Sequence, residues 1–386
     1  MKIAVIAHSY PSTGTPTAGT FIKVIARGFA AAGNEVVVVN PVPWPRSLKR
    51  EVFPYRSVDA FDGGSIEELR PAYWTFTSKL QFPKLGLLNP ARWTFRSFCS
   101  AAVHALNRMN FCPDVVYGHF LYFGGGGAIE VGRAFNVPSF IGVGEGEFWS
   151  VKPLGDGFAK RHLRMATRLI PNATHLADAI HERFGIPASI LSALPNGIDP
   201  DEFYPRDRSA CRKNYGIPQG AFVVGAVGNY NYKKGICRVG EAIRDLSGVT
   251  GIFAGSGDAP PVAPNIVFSK RVLHSQLPDF YSACDVFVLP TLIEGCCNAL
   301  IEAMACGVPI ISSNTKYTSD LLDDTCSIRV DPLDVNAIRT AIEKLRDDEG
   351  LRLRLSRGAI ERAKKFHIKD RISKMLTLFR ENLTAK

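Results

Sequence analysis

Two kinds of apolar pattern alternate along this chain. Short runs such as KIAVIAH, EVVVV, DVVYG and SFIGV are nearly continuous in β-branched and other apolar residues, the pattern of strands covered on both faces. Between the first two, FIKVIARGFAAAG places its apolar residues at helical spacing and reaches Gly33 in the helix-ending role. Strand, helix, strand in this rhythm predicts a parallel sheet with helices on its faces. After LPNGIDPDEFYPRD, which is rich in turn formers, the rhythm restarts. AFVVGAVG, a helix from about Gly235 to Leu246, GIFAG, DVFVLP and PIISS follow in turn. The sequence itself does not repeat, but the architecture does. At 386 residues the chain also exceeds what one hydrophobic core usually supports. The expectation is an α/β protein of two doubly wound domains, residues 1–192 and 193–365, with a linker near 192–208. A closing helix over 366–386 carries Ile368, Ile372, Met375, Leu376 and Phe379 on one stripe and is expected to pack back on the first domain.

The stretch EGCCNALIEAMACG, from Glu294 to Gly307, interrupts this apolar regularity with two carboxylates eight positions apart. It follows the strand-like DVFVLPTLI, so Glu294 sits on a loop at a strand's C-terminal edge, where open α/β sheets bind their ligands. A helix then starts near Asn298 and stops at Gly307. Its first N–H groups lack intrahelical partners and carry the positive end of the helix dipole, a ready site for a phosphate or diphosphate. Small residues at 295–298 let a ligand approach the backbone. Glu302 and Glu294 could each accept hydrogen bonds from the hydroxyls of a ring. The spacing therefore suits a molecule with hydroxyls at both ends and phosphates between them, which is a nucleotide sugar. The plainer alternative is a capping acid followed by a surface glutamate.

Four motifs in order, LPNGID (Leu194–Asp199), KKG (Lys233–Gly235), AGSGD (Ala254–Asp258) and LPDFYSACDVFVLPTLIEGCCNALIEAMACGVPII, resemble the retaining glycosyltransferases of family 4. That resemblance implies the GT-B fold, two Rossmann-like domains facing each other across a cleft. It places Glu294 on the transferred sugar and Glu302 on the ribose. Backbone groups around Gly295, Cys296, Cys297, Asn298 and Ala299 would hold the sugar and diphosphate, with Lys234 countering the charge of the leaving diphosphate. The first half matches more loosely. YPSTGTPTAGTFI resembles the family's first loop, with Gly19 close to the donor phosphates, and PDVVYGHF the element carrying a cleft-facing His, here His119. The likeness spans roughly residues 1–365, strong after 190 and weak from 41 to 112.

Two departures stand out. The family often has an Arg where AVGNYNYKKG has Asn229, and Lys233 is the candidate replacement. Where the family commonly shows His or Arg, then Gly, a small residue and Asp, this chain reads GVGEGEFW. Glu145 and Glu147 are expected to face the acceptor or the reacting sugar there.

Charge and cysteines narrow the reading further. The formal net charge is +10, which favours anionic partners. Between Leu69 and Cys112 lie six basic residues (Arg70, Lys79, Lys84, Arg92, Arg96, Arg108) and no acid, interleaved with aromatics from Tyr73 to Phe98. This is either a loop and amphipathic helix covering a core or a basic, aromatic face on anionic lipid; no nucleic-acid-binding signature accompanies it. No apolar run reaches the roughly 18–20 residues that span a bilayer, and MKIAVIAHSYP reads as a first strand rather than a signal peptide. Nine scattered cysteines without a CxxC pair suggest free thiols in a cytoplasmic protein, peripheral at most on the inner membrane face, with packing the expected role of Cys296 and Cys297. Gly14–Gly19 has Walker A spacing but continues Thr20-Phe21, and GSGD fails a dinucleotide fingerprint at its third glycine. Asp199-Pro200-Asp201 spells D-x-D inside a proline-rich turn, so turn chemistry explains it and no metal or other cofactor is expected. The leading expectation is a retaining, metal-independent glycosyltransferase acting on a saccharide or lipid-linked saccharide, as in polysaccharide assembly. A glycoside hydrolase, a nucleotide-sugar epimerase and a binding protein without turnover remain alternatives.

Overall fold

The computed structural model describes residues 1–76, 89–218 and 220–383. The chain forms two compact units: Met1–Leu194 with Ile372–Lys386, and Pro195–Arg371. Lys79, Phe82 and Lys84 of the basic, aromatic stretch lie outside the described residues.

The sheet of the first unit has seven strands among the described residues. Their order is Arg56–Phe61, Gly64–Leu69, Glu35–Val39, Lys2–Ile6, Val115–His119, Ser139–Val143 and Arg168–Pro171. All neighbours are parallel except the edge hairpin Arg56–Phe61 with Gly64–Leu69. The central strands are the continuous apolar runs, and Val115–His119 and Ser139–Val143 are buried at every position. That is what helices on both faces of a parallel sheet require. The second unit repeats the plan with six parallel strands: Ile266–Lys270, Val249–Ala254, Phe222–Val227, Val286–Leu289, Ile310–Ser313 and Ser327–Val330.

Each sheet is wound outward from its first strand in both directions, so each has one point where the winding reverses. In the first unit that point lies between Lys2–Ile6 and Val115–His119, and in the second between Phe222–Val227 and Val286–Leu289. Beyond the carboxyl ends of such a pair, adjacent connections run to opposite faces and leave a crevice. The loops there are Ala7–Gly19 and the turn after His119 in one unit, and Gly228–Gly235 and Pro290–Cys297 in the other.

Two segments depart from expectation. LPNGIDPDEFYPRD is packed structure rather than a loose linker: Ile198 and Phe203 join the core of the second unit, and Arg206 pairs with Asp279 at 2.7 Å. The helix after Gly235 is shorter than expected, Ile236–Ile243, because Asp245–Gly248 turns the chain into its next strand.

The last helix, Ile368–Leu383, carries its stripe into the first unit from Ile372 onward. There the fully buried Phe379 meets Phe29, Tyr117 and Phe140, with ring centroids 5.4, 6.4 and 4.3 Å away. Three aromatic partners and complete burial make this ring an anchor. We expect Phe379→Ala to destabilise the first unit by about 3–5 kcal/mol, read as a lower urea midpoint. A midpoint within error of wild type would show that the helix end is dispensable.

Candidate functional site

The second unit builds its site at the reversal of its sheet. Strand Phe222–Val227 leads into GNYNYKKG and strand Val286–Leu289 into PTLIEGCC, and the two loops lie side by side. Leu292 donates its backbone N–H to the Lys233 carbonyl at 2.8 Å, and the Thr291 hydroxyl donates to the same carbonyl at 3.3 Å. Across this seam the Lys234 ammonium donates to the Glu294 carboxylate, which also accepts from Thr291 Oγ1 at 3.1 Å. Both charged side chains are largely buried. Burial works against the ammonium, but nearby Cys297 and Glu294 outweigh it and hold the Lys234 pKa above its ordinary value. Burial pushes the Cys297 thiol up to about 12, so at neutral pH Glu294 is the anion responsible.

Helix Asn298–Ala305 starts three residues after Gly295 with no side chain capping it. Its first amides face the loop, the arrangement that attracts anions. Asn196 of LPNGID latches this start. Its backbone N–H donates to Cys296 Sγ at 3.3 Å and its amide to Asn298 Oδ1 at 2.8 Å. Burial also raises the Cys296 thiol to about 11. Both cysteines are thus neutral packing groups rather than reactive thiolates.

One turn into the helix, Glu302 is 6% exposed. Its Oε2 accepts from the Tyr281 hydroxyl at 2.7 Å, and His274 Nε2 stands 3.8 Å from its Oε1. The other imidazole nitrogen lies 3.2 Å from Glu202. A buried carboxylate is costly without such partners. The close approach of the Glu302 carboxylate, then the charges of Glu302 and Glu202, raise the His274 pKa against burial.

The first unit brings Gly19 and His119 to the corresponding edge of its own sheet. Gly19 starts helix Thr20–Ala31 at φ +65°, and any Cβ there would strike the Ser9 carbonyl, so local packing already demands glycine. His119, 6% exposed, pairs through Nδ1 with the Tyr117 hydroxyl at 2.8 Å and packs against Phe21 and Phe120. Glu147 is exposed on the following turn. Glu145 is placed otherwise than expected. It is 3% exposed, and its Oε1 accepts from Leu121 N at 2.7 Å and Ser150 Oγ at 2.9 Å. The other oxygen takes the Ser150 backbone N–H at 3.4 Å. Burial raises its pKa against these hydrogen bonds. Turned inward, Glu145 satisfies the Leu121 amide in the irregular turn after His119 and the Ser150 amide of the short helix Trp149–Val151.

The residues flagged in sequence thus separate by unit. Lys234, Glu294, Gly295, Cys296, Cys297, Asn298, Ala299 and Glu302 share one site, with Asn229 and Lys233 exposed on its outer loop. Gly19, His119, Glu145 and Glu147 belong to the first unit. Asp199, of the D-x-D triplet, accepts the Asp201 backbone N–H at 3.0 Å, a turn contact. Four contributors carried no flag: Asn196, His274, Tyr281 and Arg238. Arg238, 5% exposed, donates to the carbonyls of Pro332 at 2.7 Å, Pro290 at 2.9 Å and Tyr232 at 3.0 Å. Its signal was an arginine between Ile236 and Val239, on the apolar side of its helix.

Comparison with known proteins bears on the family and the fold. Residues 18–202 match the model for Glycosyltransferase Family 4, and residues 221–348 match that for Glycosyl transferases group 1. The chain belongs to glycosyltransferase family 4. It is 26% identical over 362 residues, 90% of each chain, to the Bacillus subtilis protein assigned to teichuronic acid biosynthesis as the glycosyltransferase TuaC. It is 26% identical over 245 residues, 57% of this chain and 54% of the other, to the D-inositol 3-phosphate glycosyltransferase of Acidothermus cellulolyticus. Among solved structures, sucrose-phosphate synthase of Thermosynechococcus elongatus superposes over the whole of both chains with a TM-score of 0.75 at 19% identity. HepE of Anabaena, solved in complex with UDP, gives 0.71 at 16% identity over 99% of this chain and all of the other. The fold of the glycosyltransferase is therefore GT-B.

The His274 linkage is testable. The folded-state pKa is raised, so the contribution to stability is complete below the unfolded value of about 6.5 and is lost as pH rises through the folded midpoint. We expect NMR titration of the His274 ring to give a midpoint above about 6.5 that falls in Glu302→Gln. The same midpoint in both proteins would remove Glu302 as its cause.

Proposed function

We propose that this glycosyltransferase takes its sugar from a nucleoside-diphosphate sugar, transfers it with retention of anomeric configuration, and needs no metal to do so. One observation carries the reading. The Lys234–Glu294 pair and the uncapped start of helix Asn298–Ala305 stand together at the sheet reversal, with the buried Glu302 carboxylate a turn beyond. In this reading the diphosphate lies against the helix start and Lys234, whose charge stabilises the departing diphosphate. Glu302, held by Tyr281, accepts from the ribose hydroxyls, and Glu294 from hydroxyls of the transferred sugar. The solved structures of HepE with UDP and with UDP-glucose support a nucleotide sugar as donor.

During transfer the bond from the anomeric carbon to the diphosphate oxygen breaks. A bond to the acceptor oxygen forms on the same face, and the acceptor's proton passes to the leaving diphosphate. His119, at the sheet reversal of the first unit, is assigned to the reacting sugar, and the exposed Glu147 to the acceptor side. The acceptor class is a saccharide or lipid-linked saccharide, reached from the cytoplasm. With its side chain turned inward, Glu145 is assigned a positioning role for the loop that bears His119.

Calorimetric titration in EDTA with UDP, GDP, ADP and their sugar conjugates tests the donor site. We expect one nucleotide family to bind the wild type. Glu302→Ala should weaken it roughly tenfold to a hundredfold, the loss of a hydrogen bond to a charged group. Lys234→Ala should weaken diphosphates more than the matching nucleoside monophosphate. No binding by any nucleotide, or equal binding by wild type and Glu302→Ala, would overturn the assignment; binding that requires a divalent ion would overturn metal independence.

A further inference from the structure

A cavity of about 700 Å³ opens on the helical layer of the first unit and is lined by none of the residues assigned above. Its walls are helices Pro90–Arg108, Gly126–Phe135 and Asp156–His162. Phe95, Cys99, Val103, Phe158 and Met165 form an apolar floor, in which Phe95 and Cys99 are buried and Met165 is 44% exposed. Four guanidinium groups line the same opening: Arg92, Arg96, Arg133 and Arg161.

Charge compensation at this opening is thin. Glu130 is the carboxylate among its lining residues, and it is engaged by His162 at 2.7 Å and Arg133 at 3.3 Å. Arg92 is held by the Leu154 carbonyl at 3.1 Å and lies 4.9 Å from the centre of the Phe158 ring. Burial, then Arg161 and Arg96, push the Arg92 pKa below its ordinary value, so the cluster repels itself. Among the described residues no carboxylate pairs with Arg96 or Arg161, and the sequence from Leu69 to Cys112 contains none. Where Met165, and in part Val103 and Phe158, leave the floor open it asks for apolar cover, and four arginines lining one opening ask for an oxyanion such as phosphate.

We propose that this cavity binds an anionic membrane phospholipid, its phosphate among the four arginines and the first carbons of one chain on the Phe95–Met165 floor. A free phosphate would satisfy the arginines and leave the floor uncovered, and a neutral lipid would do the reverse. The site would hold the first unit against an anionic membrane surface. It locates the earlier expectation of a basic, aromatic face in a defined cavity and adds Arg133 and Arg161, which lie outside that stretch of sequence. The proposal stands independently of the donor site, which lies in the other unit.

Co-sedimentation of the full chain with vesicles of phosphatidylcholine, alone or mixed with phosphatidylglycerol, tests it. We expect partition onto the mixed vesicles only, weakening with salt. Arg96→Gln/Arg161→Gln should partition roughly thirtyfold more weakly, from the loss of two basic side chains near the surface. The neutral change Met165→Asn should weaken partition several-fold at constant charge. All variants should keep the wild-type unfolding midpoint and nucleotide binding, since both changes fall on exposed side chains of the first unit. Equal partition of the double variant overturns the site. Wild-type partition of Met165→Asn reduces it to surface adhesion and overturns the cavity. Displacement of the protein from vesicles by millimolar inorganic phosphate overturns a lipid as the occupant.

Discussion

The chemistry of the second unit depends on a buried arginine with no carboxylate beside it in the described structure. Arg238 spends its donors on three backbone carbonyls, those of Tyr232, Pro290 and Pro332. Two of these flank the loops that carry Lys234 and Glu294. These bonds occupy three of the five N–H donors of a buried guanidinium, so drift of either loop would strip a buried charge of its partners. Gly235 completes the device. It sits at φ +73°, and a Cβ there would fall onto both Arg238 Nη2 and the Pro290 carbonyl. The glycine of KKG is therefore a consequence of how the arginine crosses beneath it, whatever ligand lies above.

This constraint explains why the Lys234–Glu294 pair can be both buried and poised. Removing one partner from such a pair strands the other charge at a cost of several kcal/mol, so without ligand the two ions keep each other satisfied. On the proposed donor-site reading, an incoming diphosphate would offer the ammonium a second anion. On the donor-site reading the lysine is already charged and positioned before the sugar–phosphate bond weakens, which is the preorganisation that electrostatic catalysis requires.

Much of this was legible in the sequence, for identifiable reasons. Continuous apolar strands alternating with amphipathic helices encode a parallel sheet at short range, so the doubly wound plan could be read from periodicity alone. Glu294 and Glu302 stood out as charges inside an apolar stretch, and charges in such places need a reason. The illegible parts depend on partners remote in sequence. Glu302 is held by Tyr281 and His274, 21 and 28 positions earlier, and no spacing rule links them. For Glu145, a position within a family pattern does not fix the direction of the side chain. Its carboxylate instead accepts from the amides of Leu121 and Ser150, which two separate turns bring to it only in the folded chain.

The two sheet reversals use the same topology for different chemistry. That of the second unit is ionic: a lysine, two glutamates and a helix start. That of the first is aromatic. His119 lies 4.9 Å from both Phe21 and Phe120, and Phe120 lies 5.7 Å from Trp149, whose ring is 50% exposed. Charged groups fixed at a helix start suit phosphate, whose charge does not depend on which sugar is attached. Exposed aromatic faces beside a histidine suit the apolar faces of sugar rings, where recognition rests on shape and stacking. The same doubly wound frame thus separates a demand for charge from a demand for shape. On the proposed assignment of donor and acceptor sides, that separation would let loops such as GVGEGEFW change without disturbing the Arg238 brace of the second unit.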